Sequence, residues 1–274
     1  MITELPTQRS VAESYNPSLL VLYGKPKSGK SSIMASLEDN LILDCEDGYR
    51  ALPVMKVQVR TAKDYFDVQK LLAKKMQETG KKPYRFITID NATRLEEQAL
   101  SYAAMNYRAT SMGAMWGLLK DKDGALLKKD GKFIPDPKAD VRTLPQGGGY
   151  LYLREAIKTL VNMFKPYCET LILVCHVKDK QVRKDGKELS ELSVDLAGKT
   201  GDIICGEADA IGLIYREGNK TIISFENGQD DTLKEARPLH LRGKKFVVAE
   251  SDENNELHID TSKIFLEPSE RTDN

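Results

Sequence analysis

Leu19-Leu20-Val21-Leu22-Tyr23-Gly24-Lys25-Pro26-Lys27-Ser28-Gly29-Lys30-Ser31-Ser32 is the stretch on which the reading of this 274-residue chain turns. Its first five residues are apolar without interruption, the pattern of a strand buried on both faces as in a parallel sheet, and they stop at a glycine. Gly24 to Ser31 then fits G-x-x-x-x-G-K-[ST], and a helix is expected from Lys30 to Leu37. A glycine-rich turn between a buried strand and a helix lets backbone N–H groups and the helix N-terminus wrap phosphate oxygens. In that reading Gly24, Lys25, Pro26, Lys27, Ser28, Gly29 and Ser32 form the cradle. Lys30 reaches the β- and γ-phosphates of ATP, and the Ser31 hydroxyl ligates Mg²⁺.

Outward from this stretch, apolar runs keep ending in polar residues. Leu41-Ile42-Leu43 runs into Asp44-Cys45-Glu46, Phe86-Ile87-Thr88-Ile89 into Asp90, and Leu171 to Cys175 into His176. In an open α/β sheet, ligands bind at the carboxyl ends of the strands, so all three polar groups are expected on the edge that carries the glycine-rich turn. Asp90 is the natural metal partner, on a strand beside the first one. Glu46 reads either as the residue that activates water or as a carboxylate that merely solvates a strand end. His176 reads either as a contact to the γ-phosphate or as a structural histidine.

Between these runs, Tyr65, Val68, Leu72 and Met76 recur at helical spacing behind a capping-box-like Thr61 to Asp64, and Gly80 to Pro83 stop that helix. Pro53 to Val59 alternates weakly as an extra strand. Thr93 and Glu96 are expected to cap a helix with the face Leu95, Ala99, Tyr102 and Ala103. Another helix spans Leu153 to Phe164 and stops at Pro166. Residues 106–149 and 178–207 lack a pattern and are expected as long loops. Two runs, Ala210 to Tyr215 and Thr221 to Phe225, flank Glu217-Gly218-Asn219 as a hairpin, and a further pair is expected around Gly243. Alternating strands and helices followed by antiparallel strands predict an α/β fold, mainly parallel, with an antiparallel C-terminal extension.

Composition narrows the class. Lys plus Arg and Asp plus Glu both number 41, and 41% of residues are hydrophobic, which argues against a disordered chain and a uniformly basic coat protein. The apolar runs of five residues are far shorter than the roughly 20 needed to cross a bilayer, and the start MITELPTQRS lacks the features of a signal peptide, so a cytoplasmic protein is expected. Four cysteines without C-x-x-C spacing read as buried thiols. The charge is unevenly placed. Residues 106–149 hold eight basic groups against five acidic, and residues 178–187 five against two. Residues 250–274 hold eight acidic groups against two basic and read as an acidic tail, after an N-terminal segment 1–17 and a domain 18–249.

The segments LLVLYGKPKSGKSS, LILDCEDGYRAL, FITIDNATRL, LILVCHVKDK and ADAIGLIYR, in this order, resemble the RecA-like P-loop ATPases, most closely the compact phage-type AAA proteins regarded as core-only RecA-like recombinases. The resemblance implies a RecA-like P-loop NTPase fold, with Glu46 as the catalytic glutamate, Asp90 as the metal-holding aspartate, and His176 as the polar residue that closes the later strand. It implies ATP hydrolysis on single-stranded DNA in recombination, annealing, repair or replication, as a homo-oligomer, in the cytoplasm of a bacterial host if phage-encoded. A single-strand-binding or replication protein is the expected partner. It also gives the two unpatterned loops a reading as DNA contacts, with Lys178, Lys180, Arg183, Lys184 and Lys187 spaced along one strand and Tyr150 or Tyr152 available to stack bases. Such ATPases often take a basic residue from the neighbouring subunit, for which Arg237, Lys244 and Lys245 are candidates. Two other readings share the motifs: a small-molecule or nucleotide kinase with residues 106–149 as a lid, and a helicase or helicase loader.

Overall fold

In the computed structural model, the described residues are 5, 7, 8, 10–184, 187–226 and 232–272, with side chains described outside 180–190. The first strand, β1 (Leu19–Gly24), is buried along its whole length and leads through the glycine-rich turn into α1 (Lys30–Ser36). There follow β2 (Asn40–Asp44), β3 (Met55–Gln58), α2 (Ala62–Thr79), β4 (Tyr84–Asp90) and α3 (Ala92–Arg108). The two-residue strands β5 (Lys128–Lys129) and β6 (Lys132–Phe133) form a separate small hairpin. Next come α4 (Gly149–Asn162), β7 (Cys168–Lys184), β8 (Lys187–Val194) and α5 (Thr200–Glu207). The chain closes with β9 (Ala210–Glu217), β10 (Lys220–Ser224), β11 (Glu235–Ala236), β12 (Lys245–Ser251) and β13 (Leu257–Ile259).

The main sheet has the order β13-β12-β10-β9-β1-β7-β4-β2-β3. From β3 to β9 every pairing is parallel, and from β9 outward every pairing is antiparallel. This is the mainly parallel α/β architecture expected from the sequence, with its antiparallel C-terminal extension. Parallel strands must be covered on both faces, and the side-chain alternation along β1 shows how this is done. Leu19, Val21 and Tyr23 enter a core shared with α2, α3, α4 and α5, whereas Leu20 and Leu22 enter a second core with Ile33 and Met34 of α1.

Three expectations need correction. β4 does not lie beside β1, because β7 is inserted between them and pairs with both. Residues 178–194 are not a loop: β7 runs on past His176 and pairs with β8 from Val177↔Val194 to Lys184↔Lys187. Of the pair expected around Gly243, only β12 forms a substantial strand, and it pairs with β10 and β13. The short β11 instead takes up the edge of β9 at Ala210 and Ile211, beyond the reach of β10.

Side-chain oxygens set the N-termini of α2 and α3. The capping box at Thr61 and Asp64 forms as expected, and Gly80 ends α2 in the left-handed region at φ 68°. α3 is capped instead by Asn91, whose side chain accepts from Arg94 N. Thr93 and Glu96, expected to cap it, reach across to the segment after β8: the Thr93 hydroxyl donates to Asp195 O, and Glu96 accepts from Ala197 N.

Residues 250–272 are built into the body rather than forming a free tail. Ile264 and Phe265 are buried in the second core, and the Phe265 ring lies 4.7 Å from that of Phe86. Asn16 exchanges two hydrogen bonds with the Leu266 backbone, Arg85 pairs with Glu267, and Arg271 pairs with Glu169. The acidic surplus is thus held on a folded surface that also fixes the N-terminal segment.

Residues 109–148 are ordered by backbone turns and by an aromatic contact group in which Tyr107 stacks edge-on with Trp116 and Tyr152. Tyr152 is therefore a packing residue, while Tyr150 is exposed. All four cysteines are free and buried, and burial pushes the Cys45 and Cys168 thiols up to about 12. No described helix is long and apolar enough to cross a membrane.

Candidate nucleotide site

The turn after β1 is shaped by close backbone approach. A Cβ at Gly24 would lie 2.2 Å from Ile214 O of β9, so only glycine fits where β1 and β9 splay at the turn. Gly29 has φ 98°, in the left-handed region that favours glycine, and it turns the chain into α1. The Lys30 ammonium folds back over this turn, donating to Gly24 O at 2.9 Å and Lys25 O at 2.8 Å. Burial lowers its pKa, against an opposing pull from Asp90. The ammonium also reaches the Ser28 hydroxyl at 3.5 Å, and a buried cation held by neutral oxygens alone is poised to exchange them for an anion.

The strand-end groups converge as the spacing predicts. Ser31 Oγ stands 3.4 Å from Asp90 Oδ2. The buried Tyr49, four residues past the apolar part of β2's terminal turn at Cys45, donates its phenol to the same oxygen at 2.5 Å. Burial pushes the Asp90 carboxyl up from its ordinary range, and the Tyr49 hydrogen bond and the Lys30 charge pull it back. Asp44 does other work: it is 1% exposed, pairs with Lys56 at 3.0 Å, and accepts from the backbone N–H of Glu46 and Gly48. It therefore holds the turn that presents Glu46.

Glu46 is half-exposed and bound to Arg94 Nε at 3.2 Å, and Arg94 also pairs with Glu97 at 2.6 Å. His176 Nε2 lies 3.9 Å from Glu46 Oε2 and 3.0 Å from the Asn91 amide nitrogen. Its Nδ1 is buried without a hydrogen-bond partner. Lys30, Ser31, Glu46, Asp90 and His176 all line one cavity of about 330 Å³, together with Pro26, Lys27, Gly29, Ser32, Asn91 and Arg216.

Lys25 and Ser28 lie on the far side of the turn, on a neighbouring cavity of about 470 Å³ that Pro26, Lys27 and Arg216 also line. Residues 135–140 face a third cavity of about 400 Å³, against Arg60 and α3. The segment proposed as a kinase lid is thus placed beside α3 rather than over the glycine-rich turn.

The candidate DNA contacts are less uniform. Lys178 is tied down, its ammonium donating to Leu196 O and lying 4.0 Å from Asp195. The side chains of Lys180, Arg183, Lys184 and Lys187 lie outside the described residues; their backbone forms the β7–β8 hairpin. Arg237 sits at the opposite edge of the sheet, where it pairs with Asp209 just before β9. Sequence reasoning missed Tyr49, Asn91, Arg94 and Arg216. Arg216 carried a signal, since it follows directly on the apolar run Ala210 to Tyr215, and Asn91 a weaker one, since it follows Asp90 at the end of its run.

Two comparisons with known proteins give matches. A family profile described as an AAA domain matches residues 16–235. A crystal structure of the RadB recombinase is similar over 90% of this chain and 92% of its own, at 10% identity and a TM-score of 0.43. A comparison with curated protein sequences finds no match.

Proposed function

The chain belongs to the AAA-domain family, and from that premise we propose that it binds ATP with Mg²⁺ in the cavity at the glycine-rich turn, hydrolyses it, and acts on single-stranded DNA as a homo-oligomer. The observation that carries the reading is the convergence of Lys30, Ser31, Glu46, Asp90 and His176, from four separate strand ends, on one cavity.

The donor set fits the ion. Ser31 Oγ and the Asp90 carboxylate are hard oxygen donors 3.4 Å apart on the cavity wall, the ligand type that Mg²⁺ takes while keeping several waters. When bound, Mg²⁺ neutralises charge on the β- and γ-phosphate oxygens. The protein's own groups do the rest. The backbone of Gly24 to Ser31 encloses the phosphates, and Lys30 trades its carbonyl partners for phosphate oxygens. Tyr49 fixes the carboxylate of Asp90. Glu46 orients and deprotonates the attacking water once Arg94 no longer occupies its carboxylate. His176, at the level of Gly24 in the sheet register, senses the γ-phosphate. Because it lies within β7, its position is passed directly into the β7–β8 hairpin, whose basic residues are suited to the backbone of single-stranded DNA.

The test is steady-state ATP hydrolysis with and without single-stranded DNA, at low and high salt. Hydrolysis is expected, with a DNA stimulation that disappears as salt rises. Lys30→Ala is expected to lose nucleotide binding, and Glu46→Gln to bind ATP without turnover. Normal turnover by Glu46→Gln refutes its assignment. A response to a soluble phosphoryl acceptor in place of DNA establishes the kinase reading instead.

A further inference from the structure

We propose that Arg216 is a phosphate ligand supplied by the same chain, and that it engages the terminal phosphate of the bound nucleotide; this rests on the nucleotide-binding reading above. Three observations carry it. β9 runs alongside β1 only as far as Tyr23↔Leu213, and then continues past the end of β1 as a hairpin with β10, in which Arg216 faces Thr221. That extension hangs over the glycine-rich turn: a Cβ at Gly29 would lie 3.3 Å from Thr221 and 3.9 Å from Arg216 Nη2.

The second observation is where the guanidinium sits. It lines the same cavity as Lys30, Glu46, Asp90 and His176, the groups that act at the hydrolysed end of a triphosphate. The third is its lack of a partner. Arg216 is exposed and makes no hydrogen bond or ion pair among the described residues, whereas the arginine nearest Glu46, Arg94, is bound to two carboxylates. A planar fork of donors left unpaired beside a phosphate cradle matches phosphate oxygens geometrically as well as in charge. Arg216 and Lys30 line the same cavity, so the terminal phosphate would be held both from β9 and from the start of α1. In consequence, the chain does not depend on a neighbouring copy for all of its cationic charge at this phosphate.

The test is equilibrium binding of a fluorescent non-hydrolysable ATP analogue and of fluorescent ADP, each with Mg²⁺, to the full chain and to Arg216→Ala, Arg216→Lys and Lys30→Ala. Arg216→Ala is expected to raise the Kd of the triphosphate about 10-fold or more, the size of one charge-assisted hydrogen bond, and to leave that of ADP within about twofold. Arg216→Lys is expected to recover part of the loss, and Lys30→Ala to lose both nucleotides. An unchanged melting temperature of Arg216→Ala separates lost contact from lost fold. Wild-type triphosphate affinity in Arg216→Ala overturns the proposal while the nucleotide reading stands. An equal loss for both nucleotides overturns the terminal-phosphate assignment and the proposal with it. A wild-type chain that binds neither nucleotide refutes the reading and the inference together.

Discussion

Tyr49→Phe removes one oxygen atom from a side chain that is only 2% exposed and leaves its packing in place. What is lost is the phenol's hydrogen bond to Asp90 Oδ2, after which that oxygen keeps only the 3.4 Å contact with Ser31. A hydrogen bond to a charged group contributes about 1.5–3 kcal/mol, and here the phenol is buried while the carboxylate is partly open to the cavity. Taking about 2 kcal/mol, the melting temperature of the nucleotide-free protein should fall by roughly 4–8 °C. The pH dependence is specific. Burial raises the Asp90 carboxyl, so its ionised form weakens the fold at high pH, and the Tyr49 bond offsets that cost. The contribution of Tyr49 is fully present while Asp90 is ionised and is lost as pH falls through the raised pKa of Asp90. Thermal unfolding of wild type and Tyr49→Phe from pH 8 down through the raised pKa of Asp90 should therefore show a deficit that narrows toward acid. Equal melting temperatures at pH 8, or a deficit that widens on acidification, would refute the argument.

Two further substitutions test how the site is supported. Phe265→Ala empties a place against Phe86 in the second core and should cost about 3–5 kcal/mol by urea unfolding; a loss under about 1 kcal/mol would show that residues 250–272 are not anchored there. Gly24→Ala sets a methyl 2.2 Å from Ile214 O, so β1 and β9 must separate at the turn. It should destabilise the fold by about 1–3 kcal/mol and weaken ATP binding at the same time, and unaltered values of both would contradict the close approach.

The parallel half of the sheet was legible because its strands are buried on both faces and so read as unbroken apolar runs, each closed by the polar residue it delivers. Glu46, Asp90 and His176 were placed on one cavity in that way, and Lys30 and Ser31 by the spacing of the glycine-rich turn. The β7–β8 hairpin was not legible, because the sequence VKDKQVRK shows no apolar–polar alternation. Tyr49 escaped for another reason. Its ring is buried in the second core and its phenol meets Asp90, 41 residues away, and nothing local marks either contact. Glu96 looked like a capping residue because its spacing from Thr93 was right, yet its carboxylate serves the backbone N–H of Ala197. The acidic C-terminal segment misled through averaging, since two adjacent apolar residues, Ile264 and Phe265, outweigh eight dispersed charges in deciding where the chain goes.

The 17-residue span of β7 has a mechanical meaning. From Leu171 to Val174 it is clamped between β1 and β4, and from Val177 to Lys184 its only strand partner among the described residues is β8. It is a cantilever with His176 at the clamp. Eight residues of extended chain beyond that point project about 26 Å. A rotation of about 10° at the clamp then displaces the free end by about 4–5 Å, comparable to the separation of neighbouring strands. Since no loop interrupts the beam at its root, a small movement at His176 is magnified with distance instead of being absorbed in a joint.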